Sequence, residues 1–269
     1  MSRYTKLFEM LKSVNQKAFI PFVTVGDPDL EMSQNIIENL IACGADALEL
    51  GLPFSDPVAD GPIIQAANLR ALSKGVYTRQ ALKLISNIRS RHPQIPIGLL
   101  SYTNLVVAMG KENFFKLISD AGVDSLLLAD LPFVMTDWLR STFVQYNIAQ
   151  VLIAPPNADQ DLLKNIAKFS QGYTYLLGRS GVTGINVHRN EDLSQNIELL
   201  KKYNSAPIVQ GFGISDTKDV KQAIAAGVDG IIVGSAIIKI IQENVTNKTK
   251  ILEKTKAFAS EIKLATVNI

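Results

Sequence analysis

The residues of this chain with the types and spacing to do chemistry are carboxylates and glycines. Glu49 stands between two leucines in the apolar run Ala47-Leu-Glu-Leu-Gly-Leu52. The loop that follows, Pro53-Phe-Ser-Asp-Pro-Val-Ala-Asp-Gly-Pro62, carries Asp56 and Asp60. An acid in an apolar strand is costly to bury charged, and burial raises its pKa toward neutrality. Such a group can both give and take a proton near pH 7, as general acid–base catalysis requires. The blander reading pairs Glu49 with a buried arginine or uses it to cap a loop amide. Asp60 reads equally well as a second catalytic acid or as the N-cap of a helix beginning near Pro62. Asp56, before Pro57, suits a turn. Asp130, at the end of another apolar run, is as good a site candidate as Glu49 on pattern alone.

The glycines make a second signal. Gly178-Arg-Ser-Gly-Val-Thr-Gly184, Gln210-Gly-Phe-Gly-Ile-Ser215 and Val233-Gly-Ser-Ala236 each follow an apolar run. Glycine lets backbone N–H groups approach phosphate oxygens, and Gly234-Ser235 opens a helical pattern whose N-terminus attracts an anion. Any one of these loops, taken singly, is ordinary turn punctuation. Gly211-x-Gly213 is half of a dinucleotide fingerprint, but Asp216 stands where the third glycine belongs. The implied ligand is a small phosphorylated molecule. Phe22, Leu100, Tyr102, Leu127, Ile153, Tyr175 and Phe212, at the ends of apolar runs, suit a flat apolar moiety or, equally, the core.

The elements that must position these groups follow from a repeat. Gly44-Ala-Asp46, Gly122-Val-Asp124 and Gly227-Val-Asp229 each lead from a helical pattern into a short apolar run. A glycine suited to a helix C-cap, a turn aspartate and a strand make an αβ junction, and its recurrence marks a repeated βα unit. Strands are expected near 18–25, 47–52, 96–101, 125–130, 149–154, 173–178, 207–211 and 230–234. Helices are expected near 30–43, 78–91, 111–121, 135–146, 159–169, 192–203, 216–226 and 236–243. Eight strands alternating with helices favour an α/β fold, a (β/α)8 TIM barrel, over an open doubly wound sheet. In such a barrel the three glycine loops, after strands six, seven and eight, fall where phosphate is commonly bound. An extra N-terminal helix presents Leu7, Met10, Leu11 and Val14 on one face. A closing helix over 248–263 buries Ile251, Leu252, Thr255, Phe258 and Ile262, and its lysines form a solvated face rather than a basic docking surface. No linker divides the chain, so residues 1–269 are expected to form one domain.

Composition narrows the classes further. The 269 residues carry 27 Lys+Arg against 25 Asp+Glu, too even a balance to argue for nucleic acid or an anionic membrane surface. With one cysteine, Cys43, and two separated histidines, His92 and His188, a His/Cys metal site is not expected. Without a disulfide pair, signal-peptide pattern or membrane-length apolar run, the expected location is cytoplasmic.

The motifs together resemble those of the tryptophan synthase alpha chain family. The likeness runs through Phe22-Val-Thr-Val-Gly-Asp-Pro28, Leu48-Glu-Leu-Gly-Leu-Pro-Phe-Ser-Asp-Pro-Val-Ala-Asp-Gly61, Tyr102-Thr-Asn-Leu105, Pro155-Pro-Asn-Ala158, Gly172-Tyr-Thr-Tyr-Leu-Leu177, Arg179-Ser-Gly-Val-Thr-Gly184, Gln210-Gly-Phe-Gly-Ile-Ser215 and Gly234-Ser-Ala236. It spans essentially the whole chain in order. The resemblance implies retro-aldol cleavage of indole-3-glycerol phosphate to indole and glyceraldehyde 3-phosphate, with no cofactor in this chain. It implies Glu49 as the acid–base group and Asp60 as the acceptor of the indole N–H. Tyr175 would position the substrate, Phe22, Leu100 and Phe212 would wall the indole, and Gly184, Gly213, Gly234 and Ser235 would hold the phosphate. Loops around Asp56 and Arg179 to Arg189 would be lids, with Thr183 bonding Asp60 on closure. The implied partner is a beta chain with pyridoxal phosphate, in an alpha2beta2 complex. Gly178 departs from the serine expected at the base of the lid, which implies a looser hinge. Three alternatives stay open: a stand-alone lyase, a catalytically silent activating subunit, and another phosphosugar barrel such as an epimerase.

Overall fold

A computed structural model describes residues 1–178 and 193–267. In chain order the elements are α1 (Arg3–Ser13), β1 (Ala18–Thr24), α2 (Leu30–Ala42), β2 (Leu48–Gly51), α3 (Pro62–Ser73), α4 (Thr78–Arg91) and β3 (Ile97–Ser101). There follow α5 (Thr103–Met109), α6 (Lys111–Asp120), β4 (Ser125–Leu128), a 3-10 turn (Phe133–Met135), α7 (Asp137–Gln145), β5 (Ala149–Gln150) and β6 (Leu152–Ala154). The rest are α8 (Gln160–Phe169), β7 (Thr174–Leu177), α9 (Ser194–Lys202), β8 (Ile208–Gly211), α10 (Thr217–Ala226), β9 (Gly230–Val233), α11 (Ser235–Glu243) and α12 (Lys248–Val267).

Every strand pairing is parallel, in the order β5-β4-β3-β2-β1-β9-β8-β7-β6. The expected fifth strand, 149–154, is divided at Val151: β5 pairs with β4, and β6 pairs with β7. One chain segment therefore serves two neighbours in turn and nearly closes the ring, the TIM-barrel architecture. All seven residues of β1 are buried, as parallel strands covered by helices require.

Two helices lie outside the expected helix spans. The helix from Pro62 is α3, and α5 follows β3 directly. At α1 the buried face is Tyr4, Leu7 and Leu11, whereas Met10 and Val14 are exposed. The reason is that α1 plugs the barrel floor: the Tyr4 hydroxyl lies 3.0 Å from Ser125 Oγ and its ring 5.5 Å from that of Tyr173. On α12, Ile251, Thr255 and Ile262 are buried, with Leu252 and Phe258 partly covered.

The three repeated junctions are structurally alike. Gly44, Gly122 and Gly227 have φ of +90°, +81° and +99°, values that a side chain rarely tolerates. Each following aspartate then clamps the start of the preceding strand. Asp46, Asp124 and Asp229 accept from the N–H of Phe19, Ile97 and Ile208 at 2.8, 2.8 and 2.9 Å. Each returns its own N–H to the carbonyl of the same residue. Among the described residues, no helix is long and apolar enough to cross a membrane.

Candidate active site

At the opposite end of the strands, β1 and β2 bring Phe22 beside Glu49 and Thr24 beside Gly51, while β3 sets Leu100 beside Gly51. Glu49 is 1% exposed, and the Tyr173 hydroxyl donates to its Oε1 at 2.7 Å. No arginine meets it among the described residues, so the ion-pair reading fails. Burial pushes the Glu49 carboxyl up to about 7; the Tyr173 hydrogen bond opposes the rise and the charge of Asp60 adds to it.

Asp60 does not cap α3. The cap position belongs to Gly61, with Pro62 opening the helix. The freed Asp60 carboxylate accepts from the Tyr102 hydroxyl at 2.8 Å, and its backbone carbonyl accepts from Gln65 Nε2 at 2.8 Å. Burial raises its pKa to about 6, against the pull of the Tyr102 bond. Two carboxylates in different surroundings thus hold protons to different pH values, the condition for one to act as acid while the other acts as anion.

Tyr175, on β7, is buried, and its ring meets Phe212 edge-on at 6.3 Å. Burial, then the charges of Glu49 and Asp60, hold its hydroxyl well above its ordinary pKa. Gly211 makes room for this ring, because a Cβ there would collide with the Tyr175 hydroxyl. Phe22 spans the gap between β2 and β9: a Cβ on Gly51 would come within 2.8 Å of its ring and one on Gly234 within 3.0 Å. Leu100 and Phe212 are partly buried against the same core. Of the three residues expected to wall the indole, Phe22 pairs directly with Glu49 across β1 and β2.

Gly213 has φ +83°, and Gly234 precedes α11, whose first residue is Ser235 and whose N-terminus no side chain caps among the described residues. Asp216 is the N-cap of α10, accepting from the N–H groups of Lys218 and Asp219, which accounts for an aspartate where a dinucleotide fingerprint needs glycine. Thr183 and Gly184, with the whole stretch Arg179 to Arg189, lie outside the described residues. At Gly178 a Cβ would collide with the Phe212 carbonyl oxygen, so a serine here requires that peptide to shift.

The other sequence candidates make local contacts of their own. β4 ends at Leu128, so Asp130 lies beyond the strand, exposed, accepting from the Thr103 N–H and hydroxyl at 2.8 Å. Asp56 is exposed and accepts from Ser55 Oγ. His92 lies 2.6 Å from Glu38, away from the site. Among the described residues, no group of three or more His, Cys, Asp or Glu could hold a metal ion. Two functional candidates were missing from the sequence reading, Tyr173 and the hydroxyl of Tyr102. Their signal was present only as aromatic residues at strand ends, which sequence cannot separate from core.

Fold and site define a TIM-barrel protein with one acid on its second strand and another in the loop after that strand's C-terminal end, the end where enzymes of this architecture work. The family model for the tryptophan synthase alpha chain matches residues 8–267. The tryptophan synthase alpha chain of Citrobacter koseri is 51% identical over 266 residues, covering 99% of each chain, and that of Yersinia pseudotuberculosis is 50% identical with the same coverage. The crystal structure of tryptophan synthase subunit alpha from Legionella pneumophila superposes with a TM-score of 0.89 at 30% identity, covering both chains fully. The chain belongs to the tryptophan synthase alpha chain family, and its role is that of an alpha subunit in tryptophan biosynthesis.

Proposed function

We propose that this chain catalyses the retro-aldol cleavage of indole-3-glycerol phosphate to indole and glyceraldehyde 3-phosphate, a carbon–carbon lyase reaction. The observation that carries this reading is the pair Glu49 and Asp60. Both are buried, Glu49 on β2 and Asp60 in the loop that follows it, each is held by a tyrosine hydroxyl, and neither is ion-paired among the described residues. Glu49 enters as the neutral acid and delivers its proton to indole C3. Asp60, as the anion, accepts the indole N–H and stabilises the positive indolenine that forms. The carbon–carbon bond then breaks, its electron pair restores the indole ring, and the glycerol hydroxyl proton passes to Glu49, which regains its acid form. Tyr175 positions the substrate, and Phe22, Leu100 and Phe212 cover the indole. Gly213, Gly234 and Ser235, with Gly184, receive the phosphate at the α11 N-terminus, and Thr183 joins Asp60 when the lid closes.

No cofactor is needed in this chain. Its partner is a beta chain that carries pyridoxal phosphate and consumes the indole, in an alpha2beta2 complex in the cytoplasm. Exposed Val58, Val107, Val134 and Met135, on the segments after β2, β3 and β4, offer that chain an apolar face beside the mouth.

An indole-release assay on the pure chain, with and without a beta chain, tests the reaction. The rate is expected to be bell-shaped in pH. Asp60 must be ionised, so activity falls below about 6, and Glu49 must be protonated, so activity falls above about 7. A rate that keeps rising through pH 8 would overturn the assignment of Glu49 as the acid that acts first.

A further inference from the structure

The loop carrying Asp60 is held by residues that the reading above leaves without a role. Tyr102 is 1% exposed, and its hydroxyl donates to Asp60 Oδ2 at 2.8 Å while its oxygen meets the backbone N–H of Ala59. The Phe54 ring, from the start of the same loop, stacks on Tyr102 with centroids 5.0 Å apart and planes 25° apart. The Phe54 N–H donates to Asn68 Oδ1 at 3.0 Å, and Asn68 Nδ2 donates to the Ile64 carbonyl at 2.9 Å, so the buried amide on α3 is satisfied on both sides. Both ends of loop 53–61 are thereby fastened, one to α3 and the other to the residue that opens α5. Only the middle of the loop, Ser55, Asp56 and Val58, is left exposed.

We propose that Phe54, Asn68 and Tyr102 form a clamp that holds the Asp60 carboxylate in its working position and keeps it ionised. Tyr102 and Asn68 are positioning residues, and the inference rests on the role given to Asp60 above. Among the described residues, Tyr102 at the start of α5 acts on Asp60, whose charge in turn acts on Glu49 from β2 and Tyr175 from β7, with Asp130 acting on Tyr102. Among them only Tyr102 donates a hydrogen bond to the Asp60 carboxylate among the described residues. A donor to a carboxylate favours its charged form, so removing the hydroxyl moves the Asp60 titration upward.

The test is the pH profile of indole release for Tyr102→Phe, Phe54→Leu and the double variant, with Asp60→Asn as the reference. Tyr102→Phe keeps the stacked ring and is expected to lower kcat/KM about tenfold at pH 7, with the acidic limb displaced to higher pH. Phe54→Leu, at a partly exposed position, should move the limb in the same direction by less. The double variant should lose less than the product of the two single losses, because both changes open one clamp. An acidic limb unmoved by both single variants, or losses that multiply independently, would overturn the proposal. Should Tyr102→Phe not fold, the limb of Phe54→Leu decides. If Asp60→Asn itself leaves indole release intact, the underlying role of Asp60 is what fails; if it abolishes release while the limb stays fixed, only the clamp fails.

Discussion

The junction aspartates of the barrel floor and the two acids of the candidate site are partnered in opposite ways. At the floor, Asp46 meets Lys263 Nζ at 2.7 Å, and Asp124 meets Arg3 at 2.7 Å and Arg89 at 2.6 Å, each besides a backbone N–H of the preceding strand. In the candidate site, Glu49 and Asp60 receive tyrosine hydroxyls instead. Burial raises Asp46 as well, but the Lys263 ammonium and the Phe19 N–H pull it back toward the anion. Among the described residues Glu49 has no cation as counterweight, and burial pushes it up to about 7. A carboxylate paired with a cation is a fixed structural anion, whereas one paired with a neutral hydroxyl keeps its proton exchangeable at physiological pH. The same residue class thus stands as a fixed anion in one setting and holds an exchangeable proton in the other, and the partner makes the difference.

The strongest way to break this contrast is Glu49→Gln. Indole release should fall by roughly three orders of magnitude, the scale of a lost general acid–base group, and a change of less than tenfold would reject the assignment. The same variant should be more stable than the parent at pH 8 and no different at pH 4. Below pH 4.5 the carboxyl is neutral in both folded and unfolded chains and costs nothing. As pH rises toward about 7 the unfolded chain releases the proton that the folded one retains, so stability is lost across that window. Removing the acid recovers roughly 3 kcal/mol above it, as urea titrations at the two pH values would show.

The floor predicts the reverse, stability lost and chemistry kept, in a graded order. Asp124→Ala strands two arginines, one of them largely buried, and should cost about 3 kcal/mol. Asp46→Ala strands only Lys263 and should cost about 2 kcal/mol. Asp229→Ala loses the Ile208 N–H bond and a loose 4.0 Å contact with Lys17, for about 1 kcal/mol. Unfolding by urea ranks the three, and indole release measured on the folded proteins should stay within about twofold of the parent. An order other than 124, 46, 229 would mean that cation pairing is not what distinguishes these junctions.

Much of this was legible beforehand because it is local. The Gly-x-Asp junctions announce helix ends and strand starts through a left-handed glycine and a turn aspartate, and all three recur as expected. Glu49 was a candidate because a charged residue in an apolar strand is costly to bury, but on pattern alone Asp130 was as good. Asp60 was ambiguous, since Asp before Gly-Pro is a good cap; one residue decides it, because the cap falls on Gly61. The divided fifth strand was not legible, for no local signal says that residues 149–154 will bond two different neighbours. Nor was the buried face of α1, where Tyr4 displaces Met10 and Val14 because the barrel floor has an opening for one ring.

The sequence by itself determined the alternation of strands and helices, the acids in the second strand and its loop, and the glycine loops after the sixth, seventh and eighth strands. Each is written in neighbouring residues through period, propensity and turn chemistry. Tertiary structure alone decided which carboxylates meet cations and which meet hydroxyls. Glu49 and Tyr173 stand 124 positions apart in the chain, and Asp60 and Tyr102 stand 42 apart. Protonation answers to desolvation and to partners within a few ångströms, and only closure of the barrel supplies either.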